Sequence, residues 1–227
     1  PWPLLGSTAE LRNAIQAASR RGGRGEPVTL VAVTKTVLPD RIREAIAAGV
    51  TIIGENRVQE ALSKRDEVGE GVRWHLVGRL QRNKARHAVK LFDLIHSVDG
   101  LPVAEALDAA AAKVEKRQEV LVEVKISPEE TKAGVLPDDL PGLLESLASL
   151  PHLRVKGLMG IAPLLDSAER SRPYFRRLRT LYDEARARRS GADVTHLSMG
   201  MSSDFEIAVE EGATMVRIGT ALFGART

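Results

Sequence analysis

Lys35 is the last residue of a predicted buried strand, a position that suits a lysine that reacts with carbonyl compounds. The apolar run at residues 31–35 is typical of a parallel strand, and its last residue is the lysine. An amine whose stem lies in a low-dielectric pocket loses part of its solvation and becomes a usable nucleophile for Schiff-base chemistry. Because lysine is mostly exposed in proteins, the alternative is a strand that has reached the surface, with Lys35 solvated or ion-paired.

Two segments toward the end of the chain carry groups that suit a phosphate. The first, at residues 196–204, offers the Ser198 hydroxyl, a glycine that permits close backbone approach, and the start of a helix. The second, at residues 217–221, offers backbone N–H groups at Gly219 and Thr220 and the Thr220 hydroxyl. Either segment alone is more typical of a tight turn. Together they predict a phosphate site if the strands before them close a barrel, where phosphate often binds at these loops.

Arg217 places a permanently charged guanidinium inside a predicted strand, and it faces inward if Met215 does. The plain alternative is an arginine that is ion-paired at the rim of the fold. The chemical interpretation is a donor to the ring nitrogen of pyridoxal phosphate. A Schiff-base lysine, a phosphate site and an Asp or Arg at the pyridine nitrogen together form the recognisable surroundings of that cofactor.

The elements that must position these residues alternate regularly between strand and helix. Helical stripes, such as Leu140, Leu143 and Leu147, separate the β-type runs. The alternation indicates βαβ units, and eight units in roughly 200 residues predict a single (β/α)8 barrel of the TIM type, here with an extra N-terminal helix. An open doubly wound sheet is the runner-up, since sequence cannot show closure. The predicted strands are 31–35, 51–54, 73–77, 94–98, 120–126, 153–158, 194–198 and 215–218.

Composition narrows the function classes. The chain of 227 residues has 33 Lys and Arg against 30 Asp and Glu, a net charge of +3, so we expect no nucleic-acid partner. The absence of cysteine excludes disulfides, thiolate metal sites and cysteine nucleophiles, and no metal site is predicted. No apolar stretch reaches the ~20 residues of a membrane span and no signal-peptide pattern opens the chain, so we expect a cytoplasmic protein. No linker divides residues 1–227, which are expected to form one domain.

Six stretches, spread in order over nearly the whole chain, resemble the pyridoxal phosphate homeostasis protein family. That family is related to the N-terminal barrel of alanine racemase, so the resemblance implies the same barrel fold and pyridoxal phosphate as the cofactor. Because the stretches cover the chain from its first predicted strand to its last, the match is more specific than a single short motif. The stretches are LVAVTK (30–35), GENRVQE (54–60), WHLVGRLQRNK (74–84), VKGLMGI (155–161), LSMGMSSDFEIAV (197–209) and GATMVRIGTALFG (212–224).

Carried over by position, the resemblance implies roles for particular residues. Lys35 is expected to hold the aldehyde as a Schiff base, and Arg217 is expected to contact the pyridine nitrogen. Ser198, Gly219 and Thr220 are expected to bind the phosphate. The other positions that the resemblance brings near the cofactor are Asn56, beside it, Met201, lining its pocket, and His75 and Gln81, which receive no definite role.

The resemblance implies a protein that holds and hands on pyridoxal phosphate in intracellular homeostasis, without robust catalysis. Its partners are then the cofactor and pyridoxal-phosphate-dependent apoenzymes, and a monomer is expected. The alternative is an amino acid racemase at the same site. Racemisation needs a base on each face of the intermediate, and alanine racemase-like enzymes take the second, a tyrosine, from a further domain. Because this chain ends soon after its eighth strand, we expect that domain to be lacking, and no catalytic residue is assigned.

Other interpretations of the residues remain open. Tyr174 and Tyr182 lie on the predicted helix before the seventh strand, where they are expected to pack in the outer ring of helices. The substitutes for the second base are then His75 and His196. A metal-free Schiff-base aldolase would need a carboxylate or a second lysine deep in the barrel, for which the loose candidates are Glu55 and Glu123. Nucleic-acid binding through the basic helix at 176–189 is the last interpretation, although such a charge run is most simply a solvated helix face.

Overall fold

Eight parallel strands, adjacent in sequence order, close into a barrel in the computed structural model, which describes residues 4–188 and 193–224. The strands are β1 Thr29–Val33, β2 Ile52–Glu55, β3 Arg73–Leu76, β4 Leu94–Val98, β5 Gln118–Glu123, β6 Leu153–Met159, β7 His196–Ser198 and β8 Met215–Ile218. Strand β1 pairs with β8 as well as with β2, with Thr29 opposite Met215 and Ala32 opposite Ile218. This pairing closes the sheet, so the predicted barrel is confirmed and the open doubly wound sheet is excluded.

A helix follows each strand and covers the outside of the barrel, and one extra helix precedes β1. On the helix before β7, Phe175, Leu178, Tyr182 and Ala185 are buried and form the apolar stripe of an amphipathic helix. Within the described ranges, no helix combines the length and the apolar character that a membrane span requires. The helices are α1 Leu4–Arg21, α2 Pro39–Ala47, α3 Val58–Val68, α4 Ala85–Leu91, α5 Leu101–Ala112, α6 Leu140–Ala148, α7 Arg172–Ala187, α8 Phe205–Glu210 and α9 Thr220–Phe223.

The core has two parts, one between the barrel and its helices and a smaller one inside the barrel. The inner part is a layer of apolar side chains: Val31, Ile52, Leu94, Leu121, Met159 and Met215. Because side chains alternate along a strand, Arg217 points to the same side of β8 as Met215. The inward orientation that the sequence made conditional on Met215 is therefore observed.

Ion pairs fasten the N-terminal helix α1 to the helices beside it. Arg21 at the end of α1 pairs with Glu206 and Glu210 of α8, each at 2.7 Å. Arg172 at the start of α7 reaches Glu210 at 2.8 Å and Glu211 at 2.7 Å. Since Glu210 is shared, one network joins α1, α8 and α7. It holds in place the short helix that follows the loop after β7.

Candidate functional site at the carboxyl end of the barrel

A cavity of about 660 Å³ opens at the carboxyl ends of the strands, the end at which barrels of this type carry their sites. The volume is in the range of small-molecule pockets. Residues that follow β1, β2, β3, β5, β6, β7 and β8 contribute to its wall. The structure brings together six of the seven predicted site residues in this wall: Lys35, Asn56, Met201, Arg217, Gly219 and Thr220.

A second cavity, of about 670 Å³, lies at the opposite end of the barrel beside α1. Its wall includes Arg12 and Arg20 of α1 together with Thr29 and Leu30 at the start of β1. Volume therefore does not distinguish the two cavities. The cavity at the carboxyl end is the candidate site because it is the one that joins the predicted amine, guanidinium and phosphate-binding groups.

Lys35 lies in a turn at the cavity wall, and its side chain is exposed. Strand β1 ends at Val33, two residues before the lysine. The Val37 N–H donates to the Thr34 carbonyl oxygen at 3.0 Å, and Thr36 has a φ of 60°, a left-handed conformation that is unfavourable for a β-branched residue. The expectation that the strand runs to Lys35 and buries its stem is therefore wrong. A turn places the amine at the cavity.

A buried ion cluster beneath Lys35 holds this turn. The Lys64 ammonium of α3 donates to the Thr34 carbonyl oxygen at 2.7 Å. It also donates to the carboxylates of Glu55 at 3.0 Å and Glu60 at 2.6 Å. The Thr34 hydroxyl donates to Glu55 at 2.6 Å, and the Thr36 N–H donates to Glu60. Burial raises the pKa of Glu55, an effect that the Thr34 hydroxyl and Lys64 oppose. The cluster thus fixes the backbone on both sides of Lys35.

The Ser202 hydroxyl, rather than that of Ser198, lies at the cavity beside the predicted phosphate-binding groups. Ser202 Oγ accepts hydrogen bonds from the backbone N–H groups of Gly219 at 3.3 Å and Ala221 at 3.1 Å. Ser198 is fully buried on β7 and does not contribute to the cavity wall. Its side chain points into the barrel interior, whereas Ser202 belongs to the loop that follows the strand. Ser202 therefore occupies the place that the sequence suggested for Ser198.

Arg217 is buried in the cavity wall and is held by two acceptors. Its Nη1 donates to Ser198 Oγ at 2.6 Å, and its Nη2 donates to the Gly160 carbonyl oxygen at 3.0 Å. Burial lowers the pKa of Arg217 to about 10, an effect that the nearby carboxylate of Glu123 opposes. Position 160 has little room for a larger residue, since a Cβ there would lie 2.7 Å from a methyl group of Leu178. The Ser198 hydroxyl and the Gly160 carbonyl oxygen therefore fix the orientation of the guanidinium.

Two histidines continue inward from this arginine. His96 on β4 has Nδ1 3.0 Å from Ser198 Oγ and Nε2 3.0 Å from Nδ1 of His75 on β3. Burial lowers the pKa of His75 to about 3 and holds the pKa of His96 well below its usual range. Neither ring lines the cavity, and Gln81 is exposed and also outside the cavity wall. Of these, sequence analysis gave Gln81 no role and named His75 only as a substitute second base, and it missed His96.

Glu123 is a further cavity residue, which sequence analysis named only as a loose candidate for another reaction. It is the last residue of β5, it is buried, and it lines the cavity. Burial raises the pKa of Glu123 to about 7, and Arg217 is the first of the charges that oppose this rise. The signal that could have identified Glu123 is the one that identified Lys35, a charged residue at the end of an apolar strand. Glu55, the other loose candidate, lies in the ion cluster beneath Lys35 and does not line the cavity.

Asn56 reaches the cavity from the loop after β2, which packs tightly against the loop after β3. A Cβ at Gly78 would lie 2.3 Å from the Asn56 carbonyl oxygen and 2.7 Å from its Cα. These contacts are with backbone atoms, so only a glycine allows the two loops to approach this closely. A glycine at position 78 thereby allows the loop that carries Asn56 to lie against the loop after β3.

The cavity combines groups that match a phosphorylated aldehyde with an aromatic nitrogen. Lys35 supplies an amine and Arg217 a guanidinium, while Gly219, Thr220 and Ser202 supply backbone and hydroxyl groups. Across residues 4–188 and 193–224, no cluster of three or more His, Asp or Glu side chains is arranged to hold a metal ion. The chemistry that the arrangement supports is thus Schiff-base formation beside an anion-binding loop.

Comparisons with known proteins agree with this geometry. A sequence profile of the family described as "Alanine racemase, N-terminal domain" matches residues 7–227. The pyridoxal phosphate homeostasis protein of Aquifex aeolicus (strain VF5) is 48% identical over 93% of this chain and 93% of its own length. The protein of the same name from Pseudomonas aeruginosa is 44% identical over 96% of this chain and 92% of its own. The solved structure of PipY from Synechococcus elongatus PCC7942, with PLP bound, is 42% identical with a TM-score of 0.88, covering 98% and 100% of the two chains.

Proposed function

This chain belongs to the family of pyridoxal phosphate homeostasis proteins, and we propose that it holds pyridoxal phosphate as a Schiff base of Lys35 and acts as a carrier of this cofactor. The observation that carries the proposal is the single cavity shared by Lys35, Arg217, Gly219 and Thr220. These groups match the aldehyde, the pyridine nitrogen and the phosphate of the cofactor. The solved relative PipY has the same cofactor bound.

The exposure of Lys35 supports reversible holding. When bound, pyridoxal phosphate supplies an aldehyde that combines reversibly with amines. The Lys35 amine is exposed at the cavity, so a competing amine can approach it from solvent. The turn held by Lys64 and Glu60 keeps the Lys35 backbone in one place while the side chain remains accessible. Such a site suits uptake and release better than it suits the exclusion of water.

The phosphate is assigned to the loops after β7 and β8. Ser202 Oγ accepts from the backbone N–H groups of Gly219 and Ala221, so these two loops lie against each other. We assign the phosphate to Gly219 and Thr220, with the Ser202 hydroxyl as a further donor. Backbone N–H groups and hydroxyls are common partners for phosphate oxygens in barrels of this type.

Arg217 is assigned to the pyridine nitrogen, where it disfavours carbanion chemistry. A guanidinium beside a protonated pyridine would place two cations together, which costs free energy, so the ring nitrogen stays unprotonated. An unprotonated ring withdraws electrons less well. The Arg217 pKa of about 10 leaves the guanidinium charged at neutral pH, so the effect persists throughout the physiological range.

None of the tyrosines and histidines named above as second bases lines the cavity among the described residues. Tyr174 and Tyr182 lie on α7, His75 is buried below the cavity, and His196 is the first residue of β7, at the end of the barrel away from the cavity. One observation favours the racemase alternative, since Glu123 lines the cavity and its pKa of about 7 suits proton transfer at neutral pH. A racemase would therefore use Lys35 and Glu123, whereas a carrier needs neither as a base.

Deuterium incorporation separates the carrier from the racemase. The cofactor-loaded protein is incubated with a single enantiomer of alanine in deuterated water, and deuterium at Cα is followed by mass spectrometry. We expect no more exchange than free pyridoxal phosphate produces at the same concentration. Deuterium exchange at Cα that proceeds with turnover, and that Glu123→Gln abolishes, would refute the carrier and establish the racemase. The proposal further includes a cytoplasmic monomer that delivers the cofactor to apoenzymes. Sedimentation tests the monomer, and a transfer assay with an apoenzyme tests the delivery.

A further inference from the structure

Four buried polar side chains form an unbroken chain of short contacts through the barrel interior. Arg217 of β8 contacts Ser198 of β7 at 2.6 Å. Ser198 contacts His96 of β4 at 3.0 Å, and His96 contacts His75 of β3 at 3.0 Å. Each of these residues is at most 4% exposed. The chain therefore begins at the cavity wall and continues beneath it.

The donor and acceptor roles along this chain follow from the arginine. A guanidinium only donates, so Ser198 Oγ accepts from Arg217, and of its two described side-chain contacts only His96 Nδ1 can accept the Ser198 proton. A neutral His96 that accepts at Nδ1 carries its proton on Nε2, which then donates to His75 Nδ1. His75 in turn carries its proton on Nε2. The arrangement that gives the Ser198 proton an acceptor among these contacts is thus the one in which both histidines are Nε2–H tautomers.

Both histidines are neutral in this arrangement. Burial is the main cause that lowers the pKa of His75, with Arg73 and His196 as neighbouring charges. Burial also lowers the pKa of His96, with His75, Arg217 and His196 contributing in the same direction. A neutral ring is what a donor-to-acceptor chain requires at each histidine.

The chain carries a cost that ordinary core packing would avoid. His75 Nε2 is buried, and it has no hydrogen-bond partner among the described residues. A buried donor without an acceptor costs free energy, whereas an apolar pair of similar size would not. The same barrel already has an apolar inner layer that includes Leu94, two residues before His96 on the same strand. The two histidines are thus retained at a cost to stability.

We propose that His96, supported by His75, is a positioning residue that orients the Arg217 guanidinium toward the cavity. Because the Ser198 proton is committed to His96, the lone pairs of Ser198 remain directed at Arg217. With Ser198 and the Gly160 carbonyl each taking one N–H, three of the five guanidinium N–H groups are left for the cavity. The orientation toward a pyridine nitrogen rests on the proposed function, but the hydrogen-bond chain itself does not.

Nitrogen-15 NMR of the histidine rings tests the chain in the cofactor-free protein. We expect His75 and His96 to be neutral Nε2–H tautomers from pH 8 to pH 5.5. Ser198→Ala should disturb the His96 resonances. The matched control is Ser97→Ala. The Ser97 hydroxyl is buried on β4, the strand of His96, and has no hydrogen-bond partner among the described residues. An Nδ1–H tautomer at His96, or a charged ring, would overturn the proposal.

The cofactor reports the effect on Arg217. In His96→Leu, we expect pyridoxal phosphate to bind about tenfold more weakly and with a shifted visible band, because a hydrogen bond to a charged group is weakened. His96→Asn, whose amide oxygen can replace Nδ1 as acceptor, should restore most of both. In an Arg217→Gln background, His96→Leu should change affinity by less than about twofold.

The outcomes separate the two proposals. An equal loss in both backgrounds would show that His96 acts independently of Arg217, and it would overturn the positioning role. A wild-type protein that binds no pyridoxal phosphate would refute the proposed function instead, and the tautomers would still decide whether the chain exists. If His96→Leu does not fold, His96→Asn and the NMR measurement supply the decision.

Discussion

Replacing Lys64 with methionine removes the cation at the centre of the buried cluster beneath Lys35. The Lys64 side chain is 9% exposed, and its ammonium donates to the Thr34 carbonyl oxygen and to the carboxylates of Glu55 and Glu60. Without it, the carboxylates of Glu55 and Glu60 lose the cation that they share. Breaking a buried ion pair by removing one partner costs about 3–5 kcal/mol. In a chain of this length each kcal/mol corresponds to about 2–4 °C, so the melting temperature should fall by roughly 6 to 20 °C.

The loss should depend on pH in a predictable direction. Burial raises the pKa of Glu55 in the folded protein, and Lys64 is one of the groups that lower it. An acid whose folded pKa is raised binds more protons when folded, so stability falls as pH rises from the unfolded value through the folded one. Removing Lys64 raises the folded pKa of Glu55 further and extends this window upward. Lys64→Met should therefore be more destabilising at pH 8 than at pH 5.

Urea titrations of the wild type, Lys64→Met and the exposed control Lys113→Met at pH 5 and pH 8 provide the assay. The control should change the free energy of unfolding by less than about 0.5 kcal/mol at either pH. Adding Glu55→Gln to Lys64→Met should recover part of the loss at pH 8, because one of the two facing charges is gone. A loss below about 1 kcal/mol, or one that is equal at both pH values, would refute the reasoning.

Three other predictions concern residues at the cavity and behind it. The stabilising effect of Glu123→Gln on the cofactor-free protein should be larger at pH 8 than at pH 5 by on the order of 1–3 kcal/mol. The reason is the raised pKa of Glu123, which makes the stability of the wild type fall as pH rises from about 4.5 to about 7. Parallel urea titrations with no pH-dependent difference between the two proteins would contradict this. Gly160→Ala should cost about 1–3 kcal/mol in the same assay, because its Cβ would lie 2.7 Å from a buried Leu178 methyl group, and an unchanged midpoint would contradict this close packing. Ser202→Ala should cost about 1–2 kcal/mol and weaken pyridoxal phosphate binding, because the N–H groups of Gly219 and Ala221 lose their acceptor; unchanged stability and affinity would refute that role.

Most of the fold could be predicted because its signals are local. Amphipathic helices such as α7 separate short β-type runs, and each predicted strand coincides with an observed one to within a few residues. Closure of the barrel was predicted only from the number of βα units, because Thr29 pairs with Met215 and nothing in either segment encodes the other. The boundary at Lys35 was also out of reach, since side chains from α3 determine where β1 ends and the turn begins.

The candidate site was predictable in the loops and less so inside the strands. Gly219, Thr220 and Arg217 carry types and spacing that point to their positions. Ser198 was misplaced because its distance from the cavity depends on how deep β7 ends within the barrel, which the sequence does not show. His96 was missed because one histidine in an apolar run is typical of a core residue, and its partner Ser198 is 102 residues away in the chain.

Borohydride reduction followed by peptide mapping tests most directly whether Lys35 holds the cofactor. Two lysines, Lys35 and Lys132, line the cavity, so the modified position distinguishes them. Purified protein is saturated with pyridoxal phosphate, reduced, digested and analysed by mass spectrometry, with Lys35→Arg as the control. We expect one modified peptide, which contains Lys35, and loss of the visible absorbance in the control. Modification at Lys132, modification scattered over exposed lysines, or a protein that gains no visible absorbance would contradict the account.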